Sequence, residues 1–187
     1  MSLPFFTVGH STHSLEEFAD LLKEAGVQRV VDIRKMPGSR KFPQFNEDAL
    51  SVSLPAHGLA YEHVAQLGGL RGKTADIAPE VNAWWENQSF HRYADYACTP
   101  DFDAGLAHLI EEGRAQRCAL MCSEVLWWRC HRRIVTDHLL ARGEQVWHIM
   151  GPGKLEPAHL SAGAVVEQGG GAVTYPAPQT EGLRPFR

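Results

Sequence analysis

An α/β fold, in three layers on an open and mostly parallel sheet, follows from three features of the sequence. Short apolar or β-branched runs alternate with amphipathic stretches. Caps and glycines bracket the amphipathic stretches as helices. The strand, helix, strand order begins at the N-terminus. Residues 5–8 are an apolar run closed by Gly9 and read as a first strand. A helix then starts at Ser14, where Ser14 and Glu17 have capping-box spacing; Leu15, Phe18, Leu21, Leu22 and Ala25 form its buried stripe and Gly26 its stop. Residues 27–33 are rich in β-branched side chains and read as a second strand, which argues for a parallel pair with the first.

Residues 34–45 form a basic loop, holding Arg34, Lys35, Arg40 and Lys41 among Pro37, Gly38 and Pro43. A short helix over about 47–54 and a third strand over 59–63 follow, then a loop around Gly68, Gly69 and Gly72. Residues 78–97 are partly helical, with boundaries blurred by Trp84, Trp85 and the Asn87-Gln88-Ser89-Phe90 segment. Thr99-Pro100-Asp101 opens a helix expected to end at Gly113. Residues 118–122 are an apolar strand, 130–142 a helix stopped by Gly143, and 145–149 a last strand. This order is Rossmann-like or flavodoxin-like. It divides the chain into an α/β domain over 1–150 and a Pro/Gly-rich tail over 151–187, packed on the domain or mobile, with one or two helical turns at 155–160.

The composition is that of a globular chain: 187 residues, 44% hydrophobic and 21% charged. A net charge of -4, from 18 Lys plus Arg against 22 Asp plus Glu, argues against a general nucleic-acid binder. Without a signal-like N-terminus or a long apolar run, no membrane association is expected and a cytoplasmic location is the default. The four cysteines are then expected reduced.

In an open parallel sheet ligands sit outside the carboxyl ends of the strands. The expected exits are Gly9-His10-Ser11, Asp32-Ile33-Arg34, His63 with Leu67-Gly68-Gly69, Cys122-Ser123-Glu124, and His148. Gly9 and Ser11 precede a helix N-terminus, where free backbone N–H groups take anions, or they merely turn the chain. No Gly-x-Gly-x-x-Gly or Walker A pattern is present. Arg34 and Arg40 are candidate anion ligands; Arg34 has the competing role of an internal pair with Asp32 or Glu124. Cys122-Ser123-Glu124 and Cys130-His131-Arg132 form the densest group. A thiol at a helix N-terminus is a candidate nucleophile or redox group, a buried free cysteine is ordinarily a small hydrophobe, and Cys-x7-Cys-His lacks a recognised metal-ligand spacing. Glu124 is a candidate general acid or base, or an ion-pair partner of Arg34 or Arg132. Arg132 in a first helical turn opposes the helix dipole, so Glu124, Asp32 or a bound anion must offset it. Trp127 and Trp128 either stack on a ligand ring, pack the loop, or mark a dimer surface.

Several of these pieces, in order, carry a resemblance. Thr7-Val8-Gly9-His10-Ser11, Val31-Asp32-Ile33-Arg34 with Pro37, Ser39 and Arg40, Pro43-Gln44-Phe45, Tyr61-Glu62-His63 and Leu67-Gly68-Gly69 are followed by Leu120-Met121-Cys122-Ser123-Glu124, Cys130-His131-Arg132 and His148-Ile149. Over about residues 5–150 the chain resembles the DUF488 family, domains of unknown function. The resemblance implies a shared site at the strand exits and supplies no reaction.

The favoured reading is an enzyme acting on a small anionic, phosphate- or nucleotide-containing substrate. Arg34, Arg132 and the Gly9-Ser11 backbone hold the anion, and Glu124, His10 or Cys122 carries proton transfer or attack. The two guanidinium groups should then converge on one anion. Alternatives are a non-catalytic ligand-binding or sensing domain and, less favoured, a nucleic-acid-associated, thiol-redox or metal-binding protein. The sequence assigns no cofactor and no metal, and leaves a homodimer open.

Overall fold

A computed structural model describes residues 2–179. The residues 180–187 of the expected tail lie outside the described residues. The elements run β1 (Phe5–Gly9), α1 (Leu15–Glu24), β2 (Arg29–Asp32), α2 (Glu47–Ala56), β3 (Ala60–His63), α3 (Gln88–Tyr96), α4 (Pro100–Ala115), β4 (Cys118–Cys122), α5 (Arg132–Ala141), β5 (Val146–Gly151), β6 (Lys154–Pro157), β7 (Val165–Val166) and β8 (Val173–Thr174). Six strands form one sheet in the order β3-β2-β4-β1-β5-β6. The first five are parallel and β6 is antiparallel to β5. This is a single α/β domain with a Rossmann-like three-layer arrangement.

The strands alternate as the pleat requires. Phe5, Val31, Cys118 and Leu120 face one core with Tyr93 of α3, Leu106 and Leu109 of α4, and Ile134, Val135 and Leu139 of α5. Phe6, Val8, Val30, Ala119 and Met121 face the other, with Phe18 and Leu22 of α1 and Leu50 and Leu54 of α2. Central β4 is buried at all five positions, which explains its unbroken apolar run.

Four expectations are corrected. β1 and β2 run parallel but are not neighbours, because β4 lies hydrogen-bonded between them. Strand order is a non-local property, which adjacency in sequence does not determine. α4 does not stop at Gly113; it continues to Ala115. A Cβ at Gly113 would lie 2.1 Å from the ring tip of Phe5, so this glycine admits the β1 side chain instead of ending the helix. α5 begins at Arg132, two residues after Cys130, because Trp127–Arg129 forms a separate 3-10 turn ending on Cys130. Finally, the expected helical turns at 155–160 are replaced by β6 from Lys154 to Pro157, a hairpin partner of β5 with all four residues exposed. A Pro-Gly turn before it and a proline at its end suit an edge strand.

The chain after β6 returns to the domain. Tyr175 is fully buried, donates its hydroxyl to Asp137 of α5 at 2.7 Å, and takes the Asn82 side-chain oxygen on its backbone N–H at 3.0 Å. Asp137 also accepts from the Ser161 N–H at 2.9 Å. No described helix is long and apolar enough to cross a membrane.

The connections after β2 and β4 leave toward opposite faces, β2 leading to α2 and β4 to α5. A crevice opens between diverging loops of this kind.

Candidate functional site

At the β2 exit, Asp32 is fully buried and Arg34 grips it with two prongs, Nε to Oδ1 at 2.9 Å and Nη2 to Oδ2 at 2.7 Å. The carboxylate also accepts the Arg34 backbone N–H at 3.1 Å and the Tyr61 hydroxyl at 2.7 Å. Burial, and then the Asp32 carboxylate, push the Tyr61 pKa up, so it remains a donor. Arg34 Nη2 further donates to the Phe45 carbonyl at 2.6 Å. His10 stacks on Phe45 with centroids 4.2 Å apart. Its Nδ1 meets the Ser11 carbonyl at 2.9 Å, an acceptor only, so Nδ1 carries the proton and Nε2 accepts from Arg34 Nη1 at 3.4 Å. Burial, with Arg34 behind it, lowers the His10 pKa and keeps the ring neutral for that task.

The β1 exit is roofed over. The His10 N–H donates to the Cys122 carbonyl at 2.9 Å and the Ser11 N–H to the Ser123 carbonyl at 3.1 Å. A Cβ on Gly9 would fall 2.0 Å from the Glu124 carbonyl oxygen, so Gly9 lets this loop close down on β1.

That roof is clamped from beneath by Arg132, which is 1% exposed. Its Nη2 donates to the carbonyls of Glu124 at 2.5 Å and Val125 at 3.2 Å, and its Nη1 to Thr7 Oγ1 at 3.4 Å. The Thr7 hydroxyl lies 2.6 Å from Nδ1 of His148, against which Trp127 stacks face to face at 4.4 Å. Burial, then Arg132, lowers the His148 pKa to about 3, so the neutral ring accepts the threonine proton. Arg132 has no carboxylate partner among the described residues. Asp32 is spent on Arg34, and Glu124 meets Arg132 through its carbonyl rather than its carboxylate.

Two thiols lie beside this charge. Cys122 ends β4 and Cys130 precedes α5, with their sulfurs 2.8 Å apart. Both cysteines are buried and free. Cys130 Sγ also receives the Arg132 backbone N–H at 3.4 Å and lies 3.5 Å from His131 Nδ1. His131 Nε2 is 2.6 Å from the Ile33 carbonyl, so Nε2 carries a proton and Nδ1 faces the thiol. Burial alone would raise the Cys130 pKa; the Cys122 S–H, His131 and Arg132 outweigh it and hold Cys130 well below the ordinary thiol range. Burial, and then the Cys130 sulfur, push Cys122 the other way.

Cys130 stands in a cavity of about 500 Å³ at the β2–β4 crevice. Of the residues singled out in the sequence, Arg34, Gly69, Cys122, Ser123, Glu124, Cys130 and His131 line it. Gly9, His10, Ser11 and Arg132 do not line it, nor does Arg40, which is exposed on the 34–45 loop. The two guanidinium groups do not converge in one space, because only Arg34 reaches the cavity. Trp127 packs the roof and Trp128 is half-exposed. Sequence reasoning missed Lys35, Met36, Leu70, Phe90, Tyr93 and Arg129 as lining residues, and the α3 cap residues Asn87 and Ser89. Asn87 accepts from the Ser89 and Phe90 N–H groups, a capping signal that was legible in the Asn87-Gln88-Ser89 segment. Met36 and Leu70 are 74% and 75% exposed at the mouth. Arg34 is already paired with Asp32, so the lining charges without an ion-pair partner among the described residues are Lys35 and Arg129 against Glu124.

Residues 14–139 match the family described as domain of unknown function DUF488, and the chain belongs to that family. No curated protein and no solved structure matches it.

Proposed function

We propose that the cavity takes a small anionic molecule, phosphate-bearing and of nucleotide size or less, and that Cys130 attacks it as a thiolate. The observation that carries this reading is the surroundings of Cys130: a sulfur on the cavity wall that lies 2.8 Å from the Cys122 sulfur and receives the Arg132 N–H, with a histidine nitrogen 3.5 Å away. A nucleophile, a base beside it, and a third group orienting the base recur wherever a thiol is activated. Here the Ile33 carbonyl is the orienting group.

His131 Nδ1 takes the Cys130 proton. The sulfur bonds to an electrophilic centre of the substrate as the bond to the leaving group breaks, and the leaving group receives the proton from His131. Water then displaces the sulfur, with Glu124 at the rim or His131 taking its proton, and the thiol is restored. Lys35 and Arg129 supply the attraction for negative charge, and Met36, Leu70 and Phe90 an apolar wall. The volume falls within the range of small-molecule sites.

Two alkylating probes test the reading. Cys130 should react at pH 7 at least tenfold faster than the exposed Cys98, and iodoacetate should be favoured over iodoacetamide relative to a free small thiol. Arg129→Ala with Lys35→Ala should erase that preference. A Cys130 no faster than Cys98, or indifferent to the charge of the reagent, sinks the proposal.

A further inference from the structure

We propose that Cys122 is the resolving partner of Cys130 and that the two form a hydroperoxide-reactive dithiol, closing to an intramolecular disulfide when Cys130 is oxidised. The inference shares Cys130 with the proposed function but needs neither the anion nor its turnover.

The two sulfurs are brought together by parts of the fold that are independently held. Cys122 ends a strand paired on both sides. Cys130 closes a 3-10 turn at the end of the roof, and Arg132 clamps that roof through the Glu124 and Val125 carbonyls. Closing the pair asks the sulfurs to approach from 2.8 Å to about 2 Å, a movement within the reach of side-chain rotation. Both cysteines line the cavity, which admits a reagent the size of hydrogen peroxide. The asymmetry needed for a directed reaction is also present. Cys130 receives the Arg132 N–H and faces His131, so it carries the stabilised negative charge, whereas Cys122 keeps its proton and donates it to the Glu124 carbonyl at 3.5 Å.

In the first step the Cys130 sulfur attacks one peroxide oxygen. A sulfur–oxygen bond forms, the oxygen–oxygen bond breaks, and the departing hydroxide takes a proton to become water, leaving Cys130 as a sulfenic acid. In the second, the Cys122 sulfur attacks the Cys130 sulfur. The sulfur–sulfur bond forms as the sulfur–oxygen bond breaks, and the hydroxide leaves as water with the Cys122 proton. Two thiols and one peroxide thus give one disulfide and two waters. A thiol reductant reverses the closure by exchange. Neither step uses Cys98, exposed on another part of the surface, or Cys118, at the far end of β4 with its thiol pushed up to about 12 by burial. Closure removes the nucleophile from the cavity while sparing it from irreversible oxidation.

The test uses the full chain carrying Cys98→Ser and Cys118→Ser. A stoichiometric pulse of hydrogen peroxide should remove both remaining thiols, lower the mass by about 2 Da, and yield a proteolytic fragment linking Cys122 to Cys130; dithiothreitol should restore both thiols. Adding Cys122→Ser should halt the reaction at a sulfenic acid on Cys130 that dimedone captures. The unsubstituted chain, mapped after the same pulse, guards against failed folding and should show the same linkage. Two free thiols after the pulse, or Cys130 passing to sulfinic acid in the presence of Cys122, overturns the inference. A Cys130 that alkylates rapidly yet never links to Cys122 overturns it while leaving the proposed function intact.

Discussion

Arg34 and Arg132 leave the same edge of the sheet, yet they are balanced in different ways. Arg34 meets a buried carboxylate in a two-pronged pair and still presents itself to the cavity, 11% of its side chain exposed. Arg132 is sealed in, donates through its two Nη atoms to carbonyls and a threonine hydroxyl, and has no partner for its Nε and no carboxylate among the described residues. A buried charge without a counter-charge is costly. The anionic form of Cys130, two residues earlier in the chain and hydrogen-bonded to the Arg132 N–H, is the available counter-charge. Arg34 is therefore a neutralised fixture of the cavity wall. Arg132 supplies a positive field behind that wall, where solvent and salt screen it least.

The sharpest way to break this contrast is to remove each arginine's support. Arg132→Met should cost about 4 kcal/mol in urea unfolding, since the Glu124 and Val125 carbonyls lose their donors. It should also slow iodoacetamide capture of Cys130 at pH 7 by tenfold or more. Asp32→Asn should cost about 3 kcal/mol by leaving Arg34 without its carboxylate, while the Cys130 rate stays within about twofold. Equal slowing in both variants would mean that Arg132 has no special bearing on the thiol.

Acid probes the histidines that the fold keeps neutral, among them the ring beside Arg132. His148 has its pKa lowered from 6.5 to about 3 by burial and Arg132, and His138 of α5 has its own lowered to about 3 by burial and Arg142. Below pH 6.5 the unfolded chain takes up protons that the folded chain refuses until about pH 3. Their contribution to stability is therefore complete above pH 6.5 and declines as pH falls, by about 1.4 kcal/mol per pH unit for each ring. Urea titrations at pH 6 and pH 5 should show this loss, and His148→Asn should reduce the slope by about half of the two-histidine contribution. A slope unchanged in that variant would leave His148 outside the network.

The smallest effect is expected at Gly69. A Cβ there would lie 2.9 Å from His131 Nδ1, so Gly69→Ala should displace the ring and cost about 1 kcal/mol. Cys130 alkylation should fall a few-fold at pH 7, with a smaller difference at pH 9, where the solvent rather than the imidazole takes the proton. An equal loss at both pH values would point to blocked access instead of a displaced base.

Local signals were legible and partners were not. Ser14 accepts the Glu17 N–H as its capping-box spacing predicts, and the apolar run at 118–122 is β4 residue for residue. Gly113 misled because a glycine inside a helix, admitting Phe5 of a distant strand, reads locally like a stop. Arg34, Gly69, Cys122, Ser123 and Glu124 were found from the exit rule, whereas Leu70 and Arg129, farther along the same connections, were not, since tertiary packing decides which loop residues turn into the crevice. The awkward position of Arg132 was visible in the sequence. What offsets it was not, because a carbonyl pair and a sulfur leave no charge pattern to read.

The latch between Tyr175 and Asp137 has a practical consequence. The thiol site adjoins the N-terminus of α5, and this helix is fastened midway along by residues 161 and 175, which follow the last strand of the main sheet in sequence. A chain shortened to residue 151 would keep every residue lining the cavity and leave the Asp137 carboxyl without either donor. The cavity end of the molecule is thus braced by a stretch of polypeptide none of whose described residues line the cavity, and trimming that stretch should slow Cys130 alkylation by slackening its scaffold.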